Sequence, residues 1–387
     1  MNRLLRSPRD ELREAFPLLD GVWARLTGLS SNDQTIPKRT KIGRTVECFA
    51  TFIFGVSGGI AALPLLGPAG LIIVPLLWCV TVAGARDLQL TIFHHSAHGN
   101  VFPRSPSDNT DGRSDWLRVS DRNRALGSVI STILLITPFD EYVAAHVRDH
   151  HGVQTLSTCE DETMKALKQV IGLQAGVPVA KTLRRFKFAL CSPKVHWKML
   201  TGRLRAQFGR GTPTQRIAAV AYVGAVGGFA LITGWWIPVI IGWALPLSVG
   251  YQAAQIARFV VEHGWPDASE EEGKRSKAQH DSLTVAVRCA VPPPDKWSIG
   301  AIVRWTTGMA FNAAIRCMVL PGDSGPSHGW HHSQTRGDWA NHISAASNWE
   351  AARRARGEPA TQEAWGYCEA VRLSLESFAK AKPGECP

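Results

Sequence analysis

Four tight groups of histidine stand out in this chain of 387 residues: His94-His95-Ser96-Ala97-His98, His146-Val147-Arg148-Asp149-His150-His151, Glu262-His263 and His328-Gly329-Trp330-His331-His332. On a helix, residues four apart lie one turn from each other on one face, which puts His94 with His98 and His146 with His150. His328, His331 and His332 share a face in the same way, after a Pro/Gly-rich loop (Pro321–Pro326) that can start a helix. Neutral imidazole is the commonest metal ligand, and several on one face hold a metal with little rearrangement. Together the groups offer more ligands than one metal accepts, so two metals are implied.

The donor types narrow the chemistry. A structural zinc site uses four ligands, commonly with cysteine. A zinc protease needs His-Glu-x-x-His, and neither H-x3-H group has glutamate after its first histidine. Soluble di-iron proteins are carboxylate-rich on a four-helix bundle, a pattern absent here. An imidazole-rich set with open positions suits iron.

The elements that must position these groups follow from hydropathy. No charge falls between Cys48 and Ala85, 38 residues, or between Ile217 and Ala257, 41 residues. A bilayer crossing takes about 20 residues, so each stretch is long enough for two. Each breaks near its middle, at Gly67-Pro68 and at Gly234-Trp235-Trp236. The expectation is an all-α fold with four transmembrane helices in two hairpins, at about 47–66, 69–87, 217–234 and 237–257, and a cytoplasmic helical cap carrying the histidines. The Trp pair is placed at a membrane interface. A membrane-embedded unit over 45–345 then follows a cytoplasmic segment, 1–44, and precedes a cytoplasmic tail, 346–387, read as a charged helix with a loose end. A very apolar soluble core is the competing reading of the same stretches.

Lys and Arg number 9 in residues 1–47, 19 in 86–216 and 15 in 258–387, with none in the two hairpin turns. The positive-inside rule therefore puts both termini and all the histidine groups in the cytoplasm. The net charge of +11 suits anionic lipid or an acidic partner protein and requires no nucleic acid. The eight cysteines are scattered, without C-x-x-C pairs, and no disulfide is expected. The first residues lack an apolar signal region, so targeting is assigned to the first span.

No Gly or Pro intervenes between Arg86 and His94, and a helix continuing there lifts His94 about 12 Å past the charge boundary. The fourth span is read the same way, with Glu262-His263 on its extension. Residues 104–124 read as a polar loop. Ala125–Phe139 is too short for a crossing and reads as an interfacial or re-entrant helix, and similar reasoning covers Ile299–Leu320, interrupted by Arg304 and Arg316.

The order and spacing His94-x3-His98, His146-x3-His150-His151 and His328-x2-His331-His332, with two hydrophobic hairpins between, resemble the integral-membrane fatty acid desaturase and hydroxylase superfamily over about 45–345. Val261-Glu262-His263-Gly264 is similar to an extra histidine motif of its alkane hydroxylases. The resemblance implies a non-haem di-iron centre that uses dioxygen as co-substrate to take hydrogen from unactivated C–H bonds. It implies His94, His98, His146, His150, His151, His263, His328, His331 and His332 as the ligands of two iron ions. The substrate would be a fatty acyl lipid. No fused haem or cysteine-cluster domain is visible, so electrons would come from a separate ferredoxin, rubredoxin or cytochrome b5 type carrier. The middle group has three residues between its histidines where many desaturases have two.

Around these ligands, His95 is read as lying behind a ligand or solvated. Asp149 and Glu262 are expected to accept hydrogen bonds from imidazole N–H groups. Asp87, seven residues before His94, would orient a ligand, pair with Arg86, meet a polar substrate group or sit at headgroup level. His196, His280 and His342 read as isolated surface residues. Desaturation is the favoured outcome, with hydroxylase or ketolase chemistry of the same superfamily as the alternative and a membrane zinc lipid hydrolase as a more distant one.

Overall fold

The computed structural model describes residues 7–31, 34–102, 119–158, 160–265, 275–358 and 361–381. It is mostly helical. Three helical runs are long and apolar enough to cross a membrane: Lys41–Ala97, Pro213–Thr233 and Trp236–Phe259.

The first run is folded on itself. Thr40 caps its start by accepting from the Gly43 amide, and the helix Lys41–Leu66 ends at Gly67, whose φ of 55° a side chain would resist. Pro68 follows, and the helix Gly70–Asp87 returns. Glycines set the spacing between the legs. A Cβ on Gly84 would lie 2.5 Å from the Phe52 amide nitrogen, and one on Gly55 would lie 2.5 Å from that of Thr81. The pairing order, 52 with 84 and 55 with 81, makes the legs antiparallel.

The second pair turns at Gly234, with a φ of 71°. Thr212 and Gln215 form a capping box at the start of Pro213–Thr233, and Trp243 Nε1 donates to Tyr222 Oη at 2.9 Å across the pair. The two pairs meet where Gly242 lies against Gly59 and Ile60; a Cβ on Gly242 would fall 2.3 Å from the Ile60 nitrogen. That neighbour is backbone and cannot swing aside. Gly242→Ala is expected to cost about 1–3 kcal/mol by overpacking, read as a lowered thermal midpoint in detergent, whereas Gly224→Ala, with nothing within 4 Å of its added Cβ, is expected to be neutral or slightly stabilising.

Beyond the hairpins the cap departs from expectation in several places. The polar loop expected over 104–124 lies outside the described residues up to 118, and Ser120 then caps a helix, Asp121–Leu134. Leu135, in the left-handed region at φ 50°, ends it, and the chain bends by 109° into Phe139–His150, a bent pair with the shape of a broken span or of the re-entrant segment expected here. Ile299–Met318 is a single helix with Arg316 buried and Ile299 exposed.

Two features add detail to the mostly helical fold. Val285–Arg288 pairs in parallel with Gln362–Trp365, a short sheet that the β-branched, wholly buried Val-Ala-Val-Arg run favours. Helix His342–Ala355 runs across the expected boundary at 345/346. The last helix, Tyr367–Lys380, buries Tyr367, Ala370, Val371, Leu375 and Phe378 in one core cluster with Val260, Val261, Val285 and Val287. The segment to residue 381 thus packs into the same core as the chain around the fourth apolar run. The six described cysteines are free.

Candidate metal centre

The helix Gly70–Asp87 continues beyond the apolar stretch, through a π-helical turn at Leu88–Phe93, to His94–Ala97. A second π-helical segment, Ala144–His150, carries the middle group. Wide turns of this kind occur mostly as local insertions, often at functional sites. They change which residues share a face. Asp87 does not return to the face of His94: it pairs with Arg44 on the neighbouring leg and accepts from Thr91 Oγ1 at 2.7 Å.

The fourth run stops at Phe259, so His263 is on no helical extension. It is held instead by an isolated bridge to Thr284, and its carbonyl accepts from Ser374 Oγ at 3.2 Å. His328–Ser333 is a short helix carrying the last group.

The structure sorts nine imidazoles into two sets. His94, His98, His146, His151 and His331 form one, and His150, His263, His328 and His332 the other, with the offered nitrogens in each set within 4.8 Å of one another. Sequence neighbours are divided between them: His150 from His151, and His331 from His332. His146 and His150 do share a face, their rings stacked at 5.0 Å between centroids, yet their offered nitrogens fall in different sets. The sets share a wall, where His151 stacks on His332 at 4.3 Å between centroids.

Within each set nitrogens face nitrogens. In the first, Nε2 atoms of His94 and His331 are 2.5 Å apart, those of His146 and His151 are 3.1 Å apart, and those of His151 and His331 are 3.3 Å apart. In the second, His263 Nε2 is 3.2 Å from His150 Nε2 and 3.1 Å from His328 Nε2. His98 Nε2 and both ring nitrogens of His332 are buried without a hydrogen-bond partner. Buried polar atoms left unpaired are costly, and converging lone pairs need a shared cation. The donor set therefore fits two metal ions, each held by imidazole alone, which suits iron, zinc, copper or nickel.

Electrostatics keep most of these rings ligand-competent. Burial, reinforced by neighbouring imidazoles, holds His98, His146, His151, His263, His328 and His332 well below the usual imidazole range, leaving a lone pair free. At His150 burial opposes charge as well, but Asp161 outweighs it and raises the ring.

Asp161 and Asp323 are the carboxylates that sequence reasoning missed. Asp161 Oδ1 accepts from His150 Nδ1 at 3.1 Å and is itself fixed by the amides of Ser157 and Thr163, each at 2.8 Å. Asp323 Oδ2 lies 2.9 Å from His95 Nε2 and 3.2 Å from His331 Nδ1. Burial opposes its charge, but His95 and His331 hold it well below the usual carboxylate range. Each set thus has one imidazole backed by a buried carboxylate. Nothing in the spacing marks either residue, because a buried and a surface aspartate read alike in sequence.

The residues expected to support the ligands mostly do something else. Asp149 pairs with Arg148 Nε at 2.6 Å and Glu262 with Arg258, and Glu262 acts on His150 through its charge. His95 stacks on Trp339 at 5.2 Å and faces Asp323, behind His331. His280, expected at the surface, is buried, bonded to Asp281 at 3.1 Å with its ring 5.5 Å from His332. His342 is half-buried on the Trp339 carbonyl, and His196 on that of Leu190. A pocket of about 360 Å³, lined by His98, His151, Arg148 and Arg336, reaches the first set from outside.

The sequence model of the fatty acid desaturase family matches residues 72–308, more than half of the chain. The match includes six of the nine imidazoles and stops before His328, His331 and His332. No curated protein matches the chain.

Proposed function

The chain belongs to the fatty acid desaturase family, and on that premise we propose that it is a membrane-bound non-haem di-iron oxidoreductase desaturating a fatty acyl lipid. The observation carrying this reading is the division of nine imidazoles, eight of them buried, into sets of five and four. His94, His98, His146, His151 and His331 would hold one iron, and His150, His263, His328 and His332 the other. With dioxygen as co-substrate and two electrons from a separate ferredoxin, rubredoxin or cytochrome b5 type carrier, the irons would supply the oxidising power to remove hydrogen from an unactivated methylene.

The protein's own part is positional. The two carboxylates fix the tautomers of His150 and His331 so that Nε2 points inward. Phe93, Tyr142, Phe139 and Trp339 pack around the first set and exclude water from it. In this reading both hairpins cross the bilayer, making four spans, with the termini and the histidine sets on the cytoplasmic side. The unit carrying the reaction extends to residue 381.

Hydroxylation is the second reading. It is favoured by His263, the imidazole of the Glu-His-Gly element, which completes the set of four. Elemental analysis of detergent-purified protein is expected to find about two irons per chain. Lipid extracts of expressing cells are expected to contain unsaturated products rather than alcohols. Alcohols would move the hydroxylase reading forward, and one zinc with no iron would overturn both in favour of a lipid hydrolase.

A further inference from the structure

A cavity of about 370 Å³ sits at the charged end of the first hairpin, lined by Arg25, Arg39, Arg44 and Arg316, with Asp87 and Gly322 in its wall. Arg44 and Asp87 stand just outside the uncharged stretch from Cys48 to Ala85. If that hairpin crosses the bilayer, the cavity lies at headgroup depth.

Its charges do not cancel. Asp87 is engaged by Arg44 and Thr91, and Glu47 pairs with both Arg39 and Arg44. Two carboxylates therefore answer four guanidinium groups. Arg316 is only 9% exposed and ion-pairs with none of the described carboxylates. It is steered by three carbonyls and one imidazole, donating from Nε to Arg25 at 2.9 Å, from Nη2 to Gly322 at 2.7 Å and from Nη1 to Leu320. Its Nη2 is also 3.4 Å from His342 Nε2, a ring that burial and Arg316 itself keep below the usual imidazole range. Carbonyl dipoles orient a guanidinium but leave its charge in place, and a buried charge without a counter-ion is expensive. Arg25 stands at the rim, exposed and without an ion pair among the described residues. Basic pockets beside membrane helices on the cytoplasmic side are suited to anionic headgroups.

We propose that this cavity binds the phosphate of an anionic glycerophospholipid, with Arg316 at its base and Arg25 at its mouth. The site rests on the reading that the first hairpin spans the membrane, and is independent of the redox chemistry. A zwitterionic headgroup would bring its own cation into a pocket that already has two in excess, so the site selects net negative lipids. Its floor is Pro321-Gly322, and the next residue is Asp323, the carboxylate beside His331. A lipid held here is thus one residue from the support of the first imidazole set.

The test uses the full chain in neutral detergent, stripped of lipid and titrated with phosphatidylglycerol, phosphatidylcholine or inorganic phosphate. Binding is read by native mass spectrometry and by thermal midpoint. The expected result is selective retention of phosphatidylglycerol. Arg25→Glu, an exposed position that the fold does not need, is expected to weaken it about thirtyfold, as two charge units near a membrane surface predict. Equal binding of both lipids by the native chain, undiminished binding by Arg25→Glu, or protection by inorganic phosphate with none by lipid would each overturn the proposal. Iron content measured on the same samples keeps the readings apart, since wild-type protein with full iron and no lipid selectivity condemns the site and leaves the centre standing.

Discussion

Replacing His331 by alanine is expected to abolish turnover while the protein still enters the membrane. His331 offers Nε2 to the set of five, 2.5 Å from His94 and 3.3 Å from His151, and its other nitrogen faces Asp323. On the proposed reading its removal takes away a ligand and the anchor of a buried carboxylate together. Loss of an outer partner alone costs roughly 10–100-fold in metal affinity or activity, so loss of the ligand itself is expected to exceed that range. The iron content is expected to fall from about two per chain towards one, because the set of four does not contain His331. His150→Ala is the mirror experiment, emptying the other position. His196→Ala, whose ring rests on a backbone carbonyl far along the chain from either set, is expected to change neither iron nor turnover. Retained activity in the His331 and His150 variants would remove the two-metal assignment.

The contrast between those histidines shows where sequence reasoning succeeds. Groups at H-x3-H and H-x2-H-H spacing are visible because ligand chemistry leaves residue types behind. The hairpins are visible because apolar stretches must be paid for in composition, and because Gly67 and Gly234 mark turns that need a positive φ. What stays hidden depends on helical phase. A π turn adds a residue without any distinctive composition, so the spacing from Asp87 to His94 projects onto the wrong face. The C-terminal segment is legible as a helix, as expected, but not in its packing. Tyr367, Ala370, Val371, Leu375 and Phe378 have helical periodicity, and its charged residues hid a buried face that was there to be read. The buried aspartates belong to neither case, since their role depends on burial that only the packed chain reveals.

Those aspartates yield the second large effect, and the two are expected to differ. Asp323 meets two imidazoles, His95 and His331, and is 2% exposed. In Asp323→Ala both rings lose their acceptor, and His331 is free to rotate or take the wrong tautomer. Iron affinity, measured by competition with a chelator, is expected to drop by about 10–100-fold, with turnover partly restored by excess iron. Asp323→Asn keeps an oxygen acceptor of nearly the same shape, so it is expected to lose less. Asp161→Ala removes one imidazole contact and two amide contacts, so it also untethers the turn at Ser157. It is therefore expected to lower the thermal midpoint even when iron is saturating, which Asp323→Ala is not. A structural role alone would move the midpoint in both and leave the chelator titration unchanged. An Asp323→Ala protein that holds iron as tightly as the native chain would show that the imidazoles orient themselves without the carboxylate.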